Sequence, residues 1–208
     1  MAQIIKFPAQ ASKLGFKRVR KRACTRDRDQ LDLFPSPKAQ ILNFESGLNN
    51  FEQALLLDER GDLNAADLYR KAIEEHLCVA DAYCNLGIIE SKRQNTVRAF
   101  DCFSSALKHE PRHAEAHYNL ANLYFEIDDF RLAQLHYEMA SQVDPSFANA
   151  FFNLSLVQAI TNEFDGAWIA LKKYCALVPE EEGRIAESLM QNLQKSLSGP
   201  RASRTGAS

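Results

Sequence analysis

The chain has 208 residues, a formal net charge of −2 and a hydrophobic fraction of 46%, which suits one globular domain with tails. It has no apolar run near the ~18 residues that a membrane span requires. The N-terminal MAQIIKFPAQ also lacks the apolar stretch of a signal peptide. We therefore expect a cytoplasmic protein with no membrane partner.

Residues 1–40 are predicted to form a disordered basic arm. They carry ten Lys/Arg and three Asp (10 − 3 = +7), whereas the remainder carries 15 basic and 24 acidic residues (15 − 24 = −9). So dense a charge leaves too little apolar surface for a core. The basic patch comprises Lys17, Arg18, Arg20, Lys21 and Arg22. It can neutralise nucleic-acid phosphates, although without interleaved aromatic residues for base stacking, or it can lie on the acidic remainder of the chain.

A short apolar motif, QLDLF, ends the arm. Its residues are Gln30, Leu31, Asp32, Leu33 and Phe34, followed by two prolines. At all five positions it resembles the motif by which bacterial proteins dock on the replication sliding clamp. The resemblance implies that the glutamine is a polar anchor and that the leucines and the phenylalanine make apolar contacts. In the alternative interpretation, these apolar residues pack on the chain's own first helices.

From about residue 38 the pattern becomes helical and repetitive. Prolines recur with a spacing of 34 (145 − 111 = 34 and 179 − 145 = 34), as do asparagines and alanines. The recurring residues are Pro111, Pro145 and Pro179, then Asn85, Asn119 and Asn153, then Ala99, Ala133 and Ala167. A repeat of this length is typical of stacked helix pairs, which bury a core only against one another.

One repeat, residues 114–147, carries the clearest consensus: His117, Leu120, Ala121, Tyr124, Ala133, Tyr137, Ala140 and Pro145. This pattern resembles the tetratricopeptide repeat family. The other repeats depart from it: Glu90 stands where tyrosine is expected, Leu77 replaces a closing proline, and Ser155 and Tyr174 stand in small-residue positions. The resemblance implies an all-α, right-handed superhelical solenoid of about four helix pairs with a C-terminal capping helix. The expected ranges are a domain at 41–196, repeats at 46–79, 80–113, 114–147 and 148–181, a cap at 182–196, and a disordered tail at 197–208.

In this family the first helix of each pair lines a concave groove, which is the expected site for an extended peptide. The candidate groove residues are Asn85, Tyr118, Asn119, Asn122, Phe125, Phe152 and Asn153. An amide side chain both donates and accepts, so it can pair with a peptide N–H and C=O at once. The spacing resembles the asparagine ladder of O-linked N-acetylglucosamine transferase. In the alternative interpretation, the asparagines bond to neighbouring helices and support the stack.

Two features of the inward positions argue against a carboxylate-clamping groove of the chaperone-binding type. Such grooves use inward Lys and Arg, whereas the inward residues here are apolar, amide or acidic, with Glu115 and Glu126 on the same helix as Tyr118. A carboxylate ligand would be repelled.

Motifs for catalysis are missing from the sequence. His109, His113 and His117 are spaced by four, but Pro111 separates the first from the next helix and His117 takes a core position. Fewer than the three or four ligands of a zinc site remain. There is no glycine-rich phosphate loop and no nucleophile elbow. We predict no catalytic residue, metal or cofactor.

The predicted function is that of a protein–protein interaction scaffold, with a peptide in the groove and an arm that recruits a second partner such as the bacterial sliding clamp. Two alternatives stay open: a nucleic-acid-associated regulator that uses the basic arm, and a generic co-chaperone or assembly scaffold. A further hypothesis is that the arm occupies its own groove, through the extended and partly apolar QLDLF segment.

Overall fold

A computed structural model describes residues 15–19 and 47–197 of the chain. Within these ranges it contains nine α-helices and no strand. The helices are α1 (Asn50–Glu59), α2 (Ala65–Glu74), α3 (Val79–Lys92), α4 (Thr96–His109), α5 (Ala114–Glu126), α6 (Phe130–Val143), α7 (Ala148–Ile160), α8 (Phe164–Leu177) and α9 (Glu180–Leu197). The predicted all-α fold class, with four helix pairs and a C-terminal helix, is confirmed. None of the helices in the described ranges is long and apolar enough to cross a membrane.

The 34-residue period is visible in the turns within each helix pair. Gln94, Asp128 and Asn162 are spaced by 34 and all have left-handed backbones, with φ of 63°, 61° and 65°. Such a residue ends the first helix and reverses the chain toward the second. In the first pair Gly61 takes this role, with φ of 73° and a spacing of 94 − 61 = 33. The first repeat is therefore one residue out of step with the others.

The link from α2 to α3 lacks the closing proline of the later repeats. It contains two non-glycine residues with left-handed backbones, His76 (φ 56°) and Cys78 (φ 44°). In the corresponding link before α5, Pro111 stands in the sequence instead, and no residue of that link has positive φ. Both links span four residues, and the chain makes the one before α3 by adopting strained backbone conformations at two positions.

The described residues divide into two compact units, 17–19 with 47–119 and 15–16 with 120–197, and the division falls inside α5. The core of the first unit comprises Phe51, Ala54, Ala65, Ala66, Tyr69, Ala72, Ala82 and Leu86. The core of the second comprises Phe151, Phe152, Leu156, Ala159, Ala167, Leu171, Tyr174, Ala186 and Met190. Small alanines mixed with large aromatics allow close helix approach within each unit.

One close approach in the first unit lies between α3 and α4. A Cβ atom added at Gly87 would lie 2.7 Å from Cε1 and 2.9 Å from Cδ1 of Phe103, whose side chain is fully buried. We expect Gly87→Ala to lower the free energy of unfolding by about 1–2 kcal/mol, because the buried ring must shift to admit the methyl group. Chemical denaturation measures this change. Gly47→Ala is the matched control, since nothing lies within 4 Å of its added Cβ, and an equal loss there would contradict the steric explanation.

Candidate functional site

Residues 17–19, which we call the arm segment, lie against the helices of the first unit and belong to no helix themselves. Asn119, on α5, accepts from the Lys17 N–H (2.7 Å) and donates to the Lys17 carbonyl (3.0 Å). Asn85, on α3, accepts from the Val19 N–H (3.0 Å) and donates to the Val19 carbonyl (3.2 Å). Each amide therefore satisfies both main-chain groups of one residue, and the two bound residues are two positions apart.

The residue between them is held by its side chain. Arg18 places Nη2 2.7 Å from Oδ1 and Nε 2.7 Å from Oδ2 of Asp58, near the end of α1. The Nη2 contact is a charge-assisted hydrogen bond, whereas Nε lies at ion-pair distance from Oδ2 without hydrogen-bond geometry. The Asp58 side chain is 6% exposed and that of Arg18 is 19% exposed, so the pair is largely withdrawn from water.

Tyr69 of α2 completes the polar end of the site. It is fully buried, and its hydroxyl donates to Oδ2 of Asp58 at 3.5 Å. Burial and then the negative charge of Asp58 raise the pKa of Tyr69, so the hydroxyl keeps its proton. Burial also raises the pKa of Asp58, and the positive charge of Arg18 opposes that shift. The carboxylate is therefore favoured when an arginine is present. We call Asp58, Tyr69, Asn85 and Asn119 the arm-binding face.

The side chains of the arm segment differ in how far they are buried against the arm-binding face. Val19 is buried, with 2% of its side chain exposed, whereas Lys17 is exposed. The hydrogen bonds from Asn85 and Asn119 to the arm segment reach only its main-chain atoms, so they carry no sequence preference of their own. Any preference must come from the arginine position and from the buried valine position.

The other predicted groove asparagines lie in the second unit and bond to side chains there. Oδ1 of Asn122 accepts from the Tyr137 hydroxyl (2.6 Å) and from Nδ2 of Asn153 (3.3 Å). Nδ2 of Asn153 also donates to the Tyr137 hydroxyl oxygen at 3.3 Å. All three side chains are buried. Asn122 thus belongs to a buried network that joins α5, α6 and α7.

The predicted groove aromatics differ in exposure. Tyr118 is fully buried, and Phe152 is buried in the core of the second unit with its ring centroid 5.1 Å from that of Tyr174. Phe125 is half-buried, with its ring edge against Phe130 at a centroid distance of 5.5 Å.

Several predicted site residues fall outside the described ranges. These are the QLDLF residues Gln30, Leu31, Asp32, Leu33 and Phe34, and the basic residues Arg20, Lys21 and Arg22. Of the basic patch, Lys17 and Arg18 are described, and both belong to the arm segment. The hypothesis that the arm occupies its own groove named QLDLF, whereas the segment found at the asparagines is residues 17–19.

Sequence reasoning missed Asp58 and Tyr69. In the sequence of α1, NFEQALLLDE, Asp58 is one of three carboxylates, and nothing there marks it as the buried one. Nothing local in the sequence pairs this acid with an arginine 40 residues away.

A second polar cluster of the first unit, formed by Asp81, Glu110 and His113, has ligand atoms within 4.8 Å of one another. Two members of this cluster, His113 and Asp81, are hydrogen-bonded to each other. Nδ1 of His113 accepts from the Ala116 N–H at 3.1 Å, which caps α5, so Nε2 carries the proton toward Asp81 at 2.9 Å.

Burial raises the pKa of the Cys102 thiol to about 11, which keeps it protonated and unreactive at neutral pH.

Part of the chain is similar in sequence to a known tetratricopeptide repeat protein. No protein-family model matches the chain. The chain is 32% identical over 101 residues to tetratricopeptide repeat protein 8 of Mus musculus; the match covers 49% of this chain and only 20% of that relative. The chain thus spans about a fifth of the length of this curated protein.

Among solved structures, a crystal structure of MamA is similar with a TM-score of 0.54 at 18% identity, over 70% of this chain and 96% of that one. A double mutant of MamA RS-1 (ArsTM) gives 0.55 at 18%, over 73% and 96%. The first tetratricopeptide domain of Spaghetti (RPAP3), bound to the HSP90 peptide SRMEEVD, gives 0.52 at 18%, over 57% and 93%. At this identity the similarity concerns the fold.

Proposed function

Because the chain carries tetratricopeptide repeats, we propose that it is a non-catalytic interaction adaptor whose arm-binding face binds an extended peptide by its main chain. The observation that carries the proposal is the paired bonding of Asn85 and Asn119 to both main-chain groups of Val19 and Lys17. A side-chain amide that pairs with both the N–H and the C=O of one residue does what a neighbouring β-strand would do. Such pairing suits a non-helical peptide and does not depend on its side chains.

The charge of the face distinguishes this adaptor from one that takes acidic chaperone tails. The Spaghetti (RPAP3) domain was solved with the HSP90 peptide SRMEEVD, which carries two glutamates and an aspartate. Here the buried Asp58 would oppose such a ligand, and it holds an arginine instead. The arm-binding face is therefore better suited to a basic peptide than to the acidic tail that a co-chaperone would bind.

The direct test uses a full-length chain whose own arm segment cannot bind. In this arm-release variant, Arg18→Glu sets a second carboxylate against Asp58, and Val19→Asp sets a charge where valine is buried. A labelled peptide of residues 14–20, LGFKRVR, is the arm peptide. Fluorescence anisotropy should show it binding to the variant, and Asn85→Ala with Asn119→Ala should weaken that binding at least tenfold, since each lost hydrogen bond contributes on the order of 1 kcal/mol.

The matched control is Asn64→Ala, an exposed asparagine whose side chain makes no capping hydrogen bond. It should leave the affinity unchanged. Equal affinities with and without Asn85 and Asn119 would contradict main-chain recognition. A scrambled peptide of the same composition that binds equally well would reduce the interaction to charge attraction.

The five-position match of QLDLF is the observation that favours a second function, docking on the bacterial sliding clamp. In this proposal the arm carries two separate binding elements. One is residues 17–19 for the chain's own face, and the other is residues 30–34 for the clamp. A cytoplasmic location goes with this proposal, because the bacterial clamp acts on DNA in the cytoplasm.

Clamp docking predicts that the purified chain binds the purified clamp of its host, and that Leu33→Ala with Phe34→Ala abolishes the complex. Surface plasmon resonance measures both. The control is Leu63→Ala with Val97→Ala, two strongly exposed apolar residues at 76% and 75% exposure that lie outside the motif. Binding that survives the motif change, or no binding by the intact chain, would contradict the proposal.

Salt dependence separates clamp docking from the nucleic-acid alternative. Binding of the basic patch to phosphates falls steeply as salt rises, whereas docking through apolar side chains persists. Arg18 is already paired with Asp58, which removes one positive charge from the patch while the arm segment is bound.

A further inference from the structure

We infer that Asp58 and Tyr69 form an arginine-selective subsite, so that the partner of this face is a protein segment with the order x-Arg-Val/Ile, which residues 17–19 imitate within the chain. The inference rests on the proposed main-chain recognition and adds to it the identity of the central side chain. Its basis is the juxtaposition of one buried carboxylate with two main-chain anchor points.

The geometry of the carboxylate favours arginine over lysine. Nη2 of Arg18 donates to Oδ1 of Asp58 at 2.7 Å, and Nε of the same guanidinium lies 2.7 Å from Oδ2 as an ion pair without hydrogen-bond geometry. A lysine ammonium is a single point charge and cannot span both oxygens in this way. The Tyr69 hydroxyl donates to Oδ2 at 3.5 Å, so it also contributes to the orientation of the carboxylate.

The two asparagines fix which residue of a ligand reaches this carboxylate. Asn119 holds residue 17 and Asn85 holds residue 19, so the residue between them is the one directed at Asp58. A shift of the ligand by one residue would move the arginine away and leave a buried carboxylate without its cation, which is costly. Register and arginine recognition therefore reinforce each other.

The position after the arginine selects for size. Val19 is 2% exposed, and both its N–H and its carbonyl are hydrogen-bonded to Asn85. Its side chain therefore occupies an enclosed space. A β-branched residue of similar volume fits there, whereas a charged one would be buried without a partner. The residue before the arginine is unrestricted by comparison, since Lys17 is exposed.

The test compares arm peptides that differ only at the arginine, using the arm-release variant in full-length form. Relative to LGFKRVR, we expect Arg18→Lys in the peptide to weaken binding roughly fivefold and Arg18→Gln roughly thirtyfold, because truncating one partner of a buried charge pair strands the other. Asp58→Asn in the protein should weaken binding of the arginine peptide roughly thirtyfold and leave binding of the glutamine peptide unchanged. Circular dichroism checks that each protein variant is folded.

The outcomes separate the two proposals. If the glutamine peptide binds as tightly as the arginine peptide while Asn119→Ala still weakens both, main-chain recognition stands and the arginine subsite is wrong. If no arm peptide binds, main-chain recognition fails and the subsite fails with it. If the wild-type chain forms a dimer that Arg18→Gln dissociates, the occupant is the arm of a second copy, which overturns a separate partner.

Discussion

The arm-release variant should bind the arm peptide on the order of a hundredfold more tightly than the wild-type chain. In the wild-type chain the arm segment occupies the face through four main-chain hydrogen bonds and the Arg18–Asp58 pair. A tethered competitor acts at an effective concentration on the order of 1 mM, so a segment with a dissociation constant of about 10 µM suppresses external binding about a hundredfold. Anisotropy titrations of the two full-length proteins measure the ratio.

The control for this comparison applies the same chemical changes to an exposed valine–arginine pair. Val97 and Arg98 are both exposed at the start of α4, so Val97→Asp with Arg98→Glu changes the net charge equally without touching the arm segment. Its affinity for the arm peptide should match that of the wild-type chain. A similar gain in both variants would show that charge alone controls binding, and no gain in either would show that the arm segment does not compete.

The helices follow from local sequence signals, which is why the fold was predictable. Prolines at a spacing of 34 separate the later helix pairs, and these pairs end with the same period, at His109, Val143 and Leu177. The turn residues were less readable, because Gln94 has no intrinsic preference for the left-handed backbone that Asp128 and Asn162 adopt with it. The period of the repeat, imposed by stacking, sets that conformation.

The site was predictable only in part, because its contacts span long separations. The asparagines were identified from their spacing, but the arm segment bonds to them across 66 and 102 residues and to Asp58 across 40. No local sequence pattern, in the arm or in the helices, predicts contacts between residues so far apart in the chain. Complementarity in three dimensions selects it, here a buried acid opposite an arginine. In the sequence, QLDLF stands out as a binding motif, whereas Lys17 and Arg18 stand out only as members of a basic patch.

Asparagines of this chain have two roles, and their replacement should separate them. We expect Asn122→Ala to lower the free energy of unfolding by about 3 kcal/mol, because the buried Tyr137 hydroxyl loses the oxygen to which it donates at 2.6 Å and a cavity opens. Asn119→Ala in the arm-release variant should cost far less stability, since its main-chain partners are then gone. Denaturant titration of both variants measures the contrast.

A double-mutant cycle tests whether the Asn122–Tyr137 bond is the cause. Asn122→Leu places the residue found one repeat later, at Leu156, and Tyr137→Phe removes the donor that would otherwise face it. The cycle is run in an Asn153→Ala background, because Nδ2 of Asn153 donates to both partners and would lose both acceptors in the double variant. In that background the double variant should be less destabilised than the sum of the two single variants, because neither partner is left buried opposite an apolar group. Additive losses would contradict a direct bond. Asn122 bonds within the second unit, whereas the arm-binding face lies in the first. Unchanged arm-peptide affinity in Asn122→Ala would therefore assign this asparagine to the stack, while Asn85 and Asn119 serve the ligand.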